Sequence, residues 1–251
     1  MSLDERYRTE KAKWDDIAEK QFNNIEVFSP GMDFHEFARQ DEEFPGVSEF
    51  LGDLEGIRVL ELGCGAGKMT VLLTKSGAQV TAFDLSPESV RLTKRRAIEN
   101  NVELDCLVSA GEFLPFASTS FDVIIGKAIL HHLEIEIGKR ELYRVLREGG
   151  KTVFIEPLGM NPILTFIRKC IPYPHKAPVG VDRPLTYDDI NAWTMDASER
   201  RVQEIQLLSM LERAFGWDTR FDLLRKLDRF LLKHIPYLRR FCRYAVIFSA
   251  K

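Results

Sequence analysis

The chain has 251 residues, of which 45% are hydrophobic and 29% charged, and its formal net charge is −3. This is an ordinary globular composition, long enough for one sizeable α/β domain with insertions or for two small domains. The near balance of charge gives no global case for a nucleic-acid partner, and no apolar run is long enough to span a bilayer.

The N-terminus, MSLDERYRTEKAKWDD, is charged and lacks the apolar stretch of a secretory signal. Cys64, Cys106, Cys170 and Cys242 are scattered without a CxxC pair. That spacing argues against a zinc knuckle or a disulfide framework and for reduced thiols in a cytoplasmic protein, with no metal site expected. Residues 1–56 are polar with scattered aromatics. They predict a helix around Lys11 to Lys20 and are expected to cap a larger domain at 57–251.

From Ile57 to Pro157 the texture changes. IRVLEL, QVTAFD, LDCLV, FDVIIG and KTVFIE read as five buried strands, each short and rich in β-formers. Helical patterns lie between them at Met69 to Ser76 and at Glu88 to Asn100, the latter opened by Ser86 as N-cap and Pro87 at its first position. A further helix over Ile135 to Leu146 is expected to stop at Gly149-Gly150. Strands alternating with helices give a doubly wound α/β fold, a mostly parallel, Rossmann-like sheet covered on both faces.

Beyond Pro157, NPILTFIRKCI predicts a short amphipathic helix, and Pro172 to Pro184 a proline-rich connection. Thr186 with Asp189 three residues on marks another helix start. Ser198 to Phe215 has helical spacing through Val202, Ile205, Leu208 and Leu211. YAVIFSAK reads as the last of seven strands, with Trp217 to Phe221 as its antiparallel partner. Residues 157–215 and 222–241 are therefore expected as helical elaborations on the substrate side.

The sharpest motif joins the first strand to the first helix: Glu61-Leu62-Gly63-Cys64-Gly65-Ala66-Gly67-Lys68. Open parallel sheets bind ligands at this place, where glycines let the backbone approach a ligand and a helix N-terminus offers unpaired N–H groups. A dinucleotide GxGxxG counted from Gly63 would need glycine where Lys68 stands. A Walker loop ending on Gly67-Lys68 would need glycine at Leu62 and Ser or Thr at Met69. Asp84 ends the second strand 21 positions after Gly63. Its carboxylate can accept from both hydroxyls of a ribose, or serve as an N-cap-like residue.

An acidic residue followed by GxGxG resembles the first motif of the class I S-adenosylmethionine-dependent methyltransferases. Ser109-Ala110-Gly111-Glu112-Phe113-Leu114-Pro115-Phe116 is similar to that family's adenine-side loop, with Ala110 where an acidic residue is usual and Glu112 as a substitute. Lys127-Ala128-Ile129-Leu130-His131-His132-Leu133 resembles its small-molecule, quinone-methyltransferase-like branch, and Leu146-Arg147-Glu148-Gly149-Gly150 its turn before the fifth strand. The resemblance implies S-adenosyl-L-methionine as cofactor, held by Glu61, Gly63, Cys64, Gly65, Gly67, Asp84, Leu85, Ala110, Gly111, Glu112 and Lys127. It implies methylation of a small, lipid-like or quinone-like acceptor at oxygen or carbon. The competing readings are an NAD(P)-dependent reductase and a non-catalytic cofactor-binding protein.

A protonated nucleophile needs a base, and His131 and His132 are the candidates at the strand end. Tyr7, Trp14, Tyr173, His175 and Tyr187 fall in segments expected to cover the pocket. Finally, 222–241 carries many Lys and Arg and one apolar stripe through Leu223, Leu224, Leu227, Phe230 and Leu231. One reading packs that stripe on the domain as a lid. The other presents it to an anionic membrane or lipid-like substrate as a peripheral contact.

Overall fold

The computed structural model describes residues 3–170, 183–215 and 223–251. Tyr173, His175, most of the Pro172 to Pro184 connection, and Trp217 to Phe221 lie outside them. Three helices come first: α1 (Leu3–Gln21), α2 (Phe34–Gln40) and α3 (Val47–Leu51). The alternating region then gives β1 (Arg58–Leu62), α4 (Lys68–Lys75), β2 (Gln79–Asp84), α5 (Pro87–Glu99), β3 (Asp105–Val108) and β4 (Phe121–Lys127). After a 3-10 turn at Leu130–His132 come α6 (Ile135–Val145), β5 (Leu146–Pro157), α7 (Pro162–Cys170) and α8 (Tyr187–Trp193). The described chain continues through β6 (Glu199–Ile205), α9 (Met210–Phe215), α10 (Leu223–His234), a 3-10 turn at Pro236–Phe241 and β7 (Tyr244–Ala250).

The seven strands form one sheet in the order β3-β2-β1-β4-β5-β7-β6, and only β7 runs against its neighbours. Strands buried on both faces send alternate side chains into two cores. Val59, Val123, Val153 and Phe248 join Phe34, Phe44, Val47 and Leu54 on one side. Leu60, Leu62, Ile124 and Ile247 join Leu142, Val145 and Trp193 on the other. Each such side chain contributes about 1.5–3 kcal/mol through removal from water. Residues 34–54 are thus part of the packing under the sheet, whereas α1 lies against α5 and across the carboxyl ends of the strands, bonded to the loops after β2, β3 and β4.

The capping reading holds in detail: the Ser86 hydroxyl accepts from Ser89 N–H, and Thr186 and Asp189 form a reciprocal capping box. Two expectations fail. The helix before β5 ends at Val145, and Gly149, at φ +68, turns the chain within the span of β5. The larger error is Ser198 to Phe215. Its first half is β6, paired residue by residue with β7 from Glu199↔Ala250 to Ile205↔Tyr244, so β7 lies antiparallel between β5 and Glu199–Ile205. Val202, Ile205 and Leu208 fall three apart, which mimics a helix, but seven ladder residues outweigh that spacing. Charged Glu199, Arg200 and Arg201 blunt the exposed edge.

α10 is inverted relative to an ordinary lid helix. Its buried residue is Asp228, which accepts N–H bonds from Leu207, Leu208 and Ser209 at 2.8–3.0 Å. Arg225, one turn earlier, pairs with Glu42 and Glu212. Asp228 and Arg225 therefore face inward, and Leu223, Leu227 and Phe230 face out.

Candidate active site

β1, β2 and β4 end side by side, and the loops leaving them enclose a pocket at the carboxyl edge of the sheet, where such folds bind ligands. Gly63, Gly65 and Gly67 all take positive φ. The three do different work. A Cβ on Gly63 would come within 3.0–3.2 Å of Ile129, and one on Gly67 would meet Thr93 at 2.7–2.9 Å, backbone Cα included. Gly65 instead faces open space, with nothing within 4 Å of where its Cβ would be, and it lines the pocket. So Gly67 fits the loop to α5, while Gly65 leaves room for a ligand.

Asp84 is buried beside that opening. Its Oδ2 accepts from Gly65 N–H and its Oδ1 from Ser86 N–H, each at 2.9 Å. Burial raises its pKa against the lowering effect of those N–H groups. Both the ribose and the cap-like roles are geometrically available, because a carboxylate with two bonds made keeps acceptor capacity on each oxygen. Glu61 and Cys64 lie behind the loop and do not line the pocket. Glu61 is fully buried, Oε2 has no hydrogen-bond partner, and burial lifts its pKa to about 8. Cys64 faces Cys106 at 3.7 Å between sulfurs, and that contact together with burial keeps its thiol protonated.

On the third strand's side, Ala110, Gly111 and Glu112 line the pocket, as do Leu85 and Lys127. Glu112 is occupied: its Oε1 accepts from the Arg6 guanidinium of α1 and from Glu134 N–H. Tyr7 sits beside it, and burial plus that carboxylate raise the phenol pKa. Lys127 pairs with Glu43.

The two histidines differ in their partners. Ala128 takes φ +54, unusual for a residue with a Cβ, and starts the turn that carries both, whose rings lie tilted against each other at 4.1 Å between centroids. His131 Nδ1 lies 2.7 Å from Oε2 of buried Glu156, whose Oε1 accepts from Ile129 and Leu130 N–H. His131 thus braces the turn and does not line the pocket. His132 does line it, with Nδ1 3.0 Å from Glu10 Oε1 and its ring edge-on to Trp14.

Sequence reasoning missed Glu10, Arg6, Asp15 and Glu156. Asp15 accepts from the Ser86 hydroxyl at 2.6 Å, so α1 is pinned by Arg6, Glu10 and Asp15 to three separate loops. A carboxylate closing a buried strand was a readable signal for Glu156. Glu10 sits in a run of charges that looks uniformly solvated. With α1 seated the pocket has about 100 Å³ of room, well below the roughly 300–1,000 Å³ usual for ligand sites. The residues fit a nucleoside-bearing cofactor in kind, with an open glycine, a ribose-competent carboxylate and an apolar wall of Phe83, Ile129 and Leu133.

Comparison with known proteins bears on this arrangement. Residues 60–154 match a family described as "Methyltransferase domain". Over 112 residues the chain is 38% identical to a ubiquinone biosynthesis O-methyltransferase of Xanthomonas oryzae pv. oryzae, covering 44% of this chain and 46% of the relative. The same-named protein of Xanthomonas campestris pv. campestris is 34% identical over 110 residues, covering 43% and 46%. The chain thus spans about half the length of the curated relatives it matches. Among solved structures, an S-adenosylmethionine-dependent methyltransferase from Mesorhizobium loti superposes with TM-score 0.58 at 18% identity, covering 85% of this chain and all of that one. The [4+2]-cyclase SpnF superposes with TM-score 0.63 at 14% identity, covering 97% and 94%. At such identities the likeness is one of fold.

Proposed function

We propose that this chain, whose residues 60–154 match a methyltransferase domain, is a class I S-adenosylmethionine-dependent methyltransferase that methylates an oxygen of a small, quinone-like acceptor. The observation that carries the reading is the pocket itself, which brings open Gly65, the Asp84 carboxylate and the Glu10–His132 pair to one cavity. The names of the 38%- and 34%-identical relatives support oxygen over carbon as the methylated atom.

The cofactor supplies an electrophilic methyl on a positive sulfonium with a neutral thioether as leaving group. Gly63, Gly65 and the backbone after β1 would hold its amino-acid end, Asp84 and Leu85 its ribose, and Ala110 and Gly111 its base. What the chain must add is alignment and a place for the acceptor's proton. With Nδ1–H donated to Glu10, the lone pair of His132 sits on Nε2, and Glu10 stabilises the imidazolium formed when the acceptor hydroxyl gives up its proton. Trp14 and Tyr7 keep water from the reacting atoms while α1 is down. Glu112, held by Arg6, serves to fix α1 rather than to read the base.

A second reading has one observation behind it. The fold match to a cyclase supports a site that uses the cofactor pocket without methyl transfer, since fold alone does not determine reaction. Calorimetric titration with S-adenosylmethionine beside NADH, followed by turnover with catechol-type acceptors, separates the cases. Cofactor binding weakened at least tenfold by Asp84→Ala, with methylated product, is the expected result. NADH binding in its place would refute the proposal.

A further inference from the structure

Exposed apolar side chains concentrate on two segments remote in sequence. On α10, Leu223 is 67% and Phe230 58% exposed, with Leu227 between them on the same stripe. On α7, Ile163 is 68% and Phe166 66% exposed, and Ile167 also faces out. The two are joined rather than merely both exposed. The Asn161 side chain caps α7 by accepting from Ile163 and Leu164 N–H, and donates at 2.7 Å to the carbonyl of Phe241, which ends the turn following α10. Ile235 and Tyr237, between them, are exposed as well.

Neither helix can roll to hide these side chains. Asp228 ties α10 to three successive N–H groups of 207–209, and Asn161 ties the start of α7. An amphipathic helix anchored by its polar face presents its apolar face outward, so the stripe is displayed rather than left over. Exposed apolar side chains clustered on a helix face mark a candidate interaction site.

Charge selects the partner. Residues 223–241 hold six Lys or Arg and a single carboxylate, Asp228, which is buried, although the whole chain carries −3. Lys226 and Lys233 flank the stripe on the same side of α10, and among the described residues neither has an ion-pair partner. Exposed Leu, Ile, Phe and Tyr rimmed by cations, on helices too short and too charged to cross a membrane, match the interfacial boundary of an anionic bilayer.

We propose that α7, α10 and the Pro236–Phe241 turn form one face that docks on anionic lipid membranes. The proposal does not rest on methyl transfer, because vesicle binding is read without turnover and survives loss of cofactor binding. The test is co-sedimentation of the full chain with phosphatidylcholine vesicles, with and without phosphatidylglycerol, at low and high salt. Expected is at least tenfold stronger partitioning onto the anionic vesicles, weakened by salt. Phe166→Ser with Phe230→Ser should lower it at least tenfold at every salt concentration. Lys226→Glu with Lys233→Glu should abolish the preference for anionic lipid while circular dichroism and cofactor affinity stay as in the parent. Pelleting at background, equal binding to neutral and anionic vesicles, or variants that bind like the parent would each overturn the proposal. So would a concentration-dependent dimer that Phe230→Ser disperses and vesicles do not, since that assigns the face to a second copy of the chain.

Discussion

Glu61 lies on a central strand with one carboxylate oxygen unpartnered, and its pKa rises from the ordinary 4.5 to about 8. The main cause is burial, with the nearby Asp84 charge adding and the Thr70 hydroxyl only partly offsetting it. A carboxyl whose pKa is raised on folding contributes stability below its unfolded pKa and loses it as pH climbs through the folded value. Between about pH 4.5 and 8 the unfolded chain has released this proton and the folded chain has kept it. Stability should therefore fall by about 1.4 kcal/mol per pH unit, roughly 5 kcal/mol across the window, and level off above it. Glu61→Gln removes the titration. Other groups titrate in both proteins, so the difference between the two isolates the Glu61 contribution whatever constant offset the amide brings. Urea unfolding of parent and variant at half-unit steps from pH 5 to 9 measures it. The variant should gain on the parent by several kcal/mol from pH 5 to pH 8. Parallel stability curves would refute the argument that Glu61 is held protonated by burial.

Further outcomes follow from single contacts. Gly67→Ala drives a methyl to within 2.8 Å of the Thr93 backbone at φ +75, so it should cost about 2–4 kcal/mol in chemical unfolding, as overpacking combined with backbone strain. Asp228→Ala strands three N–H groups and should cost about 2–4 kcal/mol, with trypsin cleavage within α10 as the local readout. Glu10→Gln keeps shape but removes the charge facing His132. It should lower kcat for methyl transfer roughly tenfold to a hundredfold with cofactor affinity unchanged; an unchanged kcat would remove the Glu10–His132 pair from the proton transfer.

What the sequence made legible was whatever the periodicity of burial controls. β1 to β5 are nearly continuous apolar runs, so pattern alone finds them, and caps such as Ser86 and Thr186 declare themselves by residue type and spacing. The glycine loop was legible for a stricter reason: Gly63, Gly65 and Gly67 occupy backbone conformations that side chains disfavour. β6 was not legible, because an edge strand bearing Glu199, Arg200, Arg201 and Glu204 buries too little to alternate, and its pairing with β7 is decided by partners far along the chain. Splitting His131 from His132 likewise depended on Glu156 and Glu10, which lie 25 and 122 positions away.

The two terminal helices share a deeper reason for being only partly legible. Pattern reading assumes that an amphipathic helix turns its apolar face inward, and α10 does the reverse. α1 buries Glu10 and Ala18, and it is pinned by Arg6 to Glu112, Glu10 to His132 and Asp15 to Ser86. Contacts of this kind contribute roughly 0.5–3 kcal/mol each, and they break when one group changes protonation or finds a better partner. Apolar packing between the sheet and α2 to α6 has no such release. The elements held by directional polar contacts are therefore the ones able to move or to engage something outside the protein. One of them closes a pocket that is too small while it stays closed, and the other displays an apolar face ringed with positive charge. A reading of function from the sheet alone would leave out both of these helices.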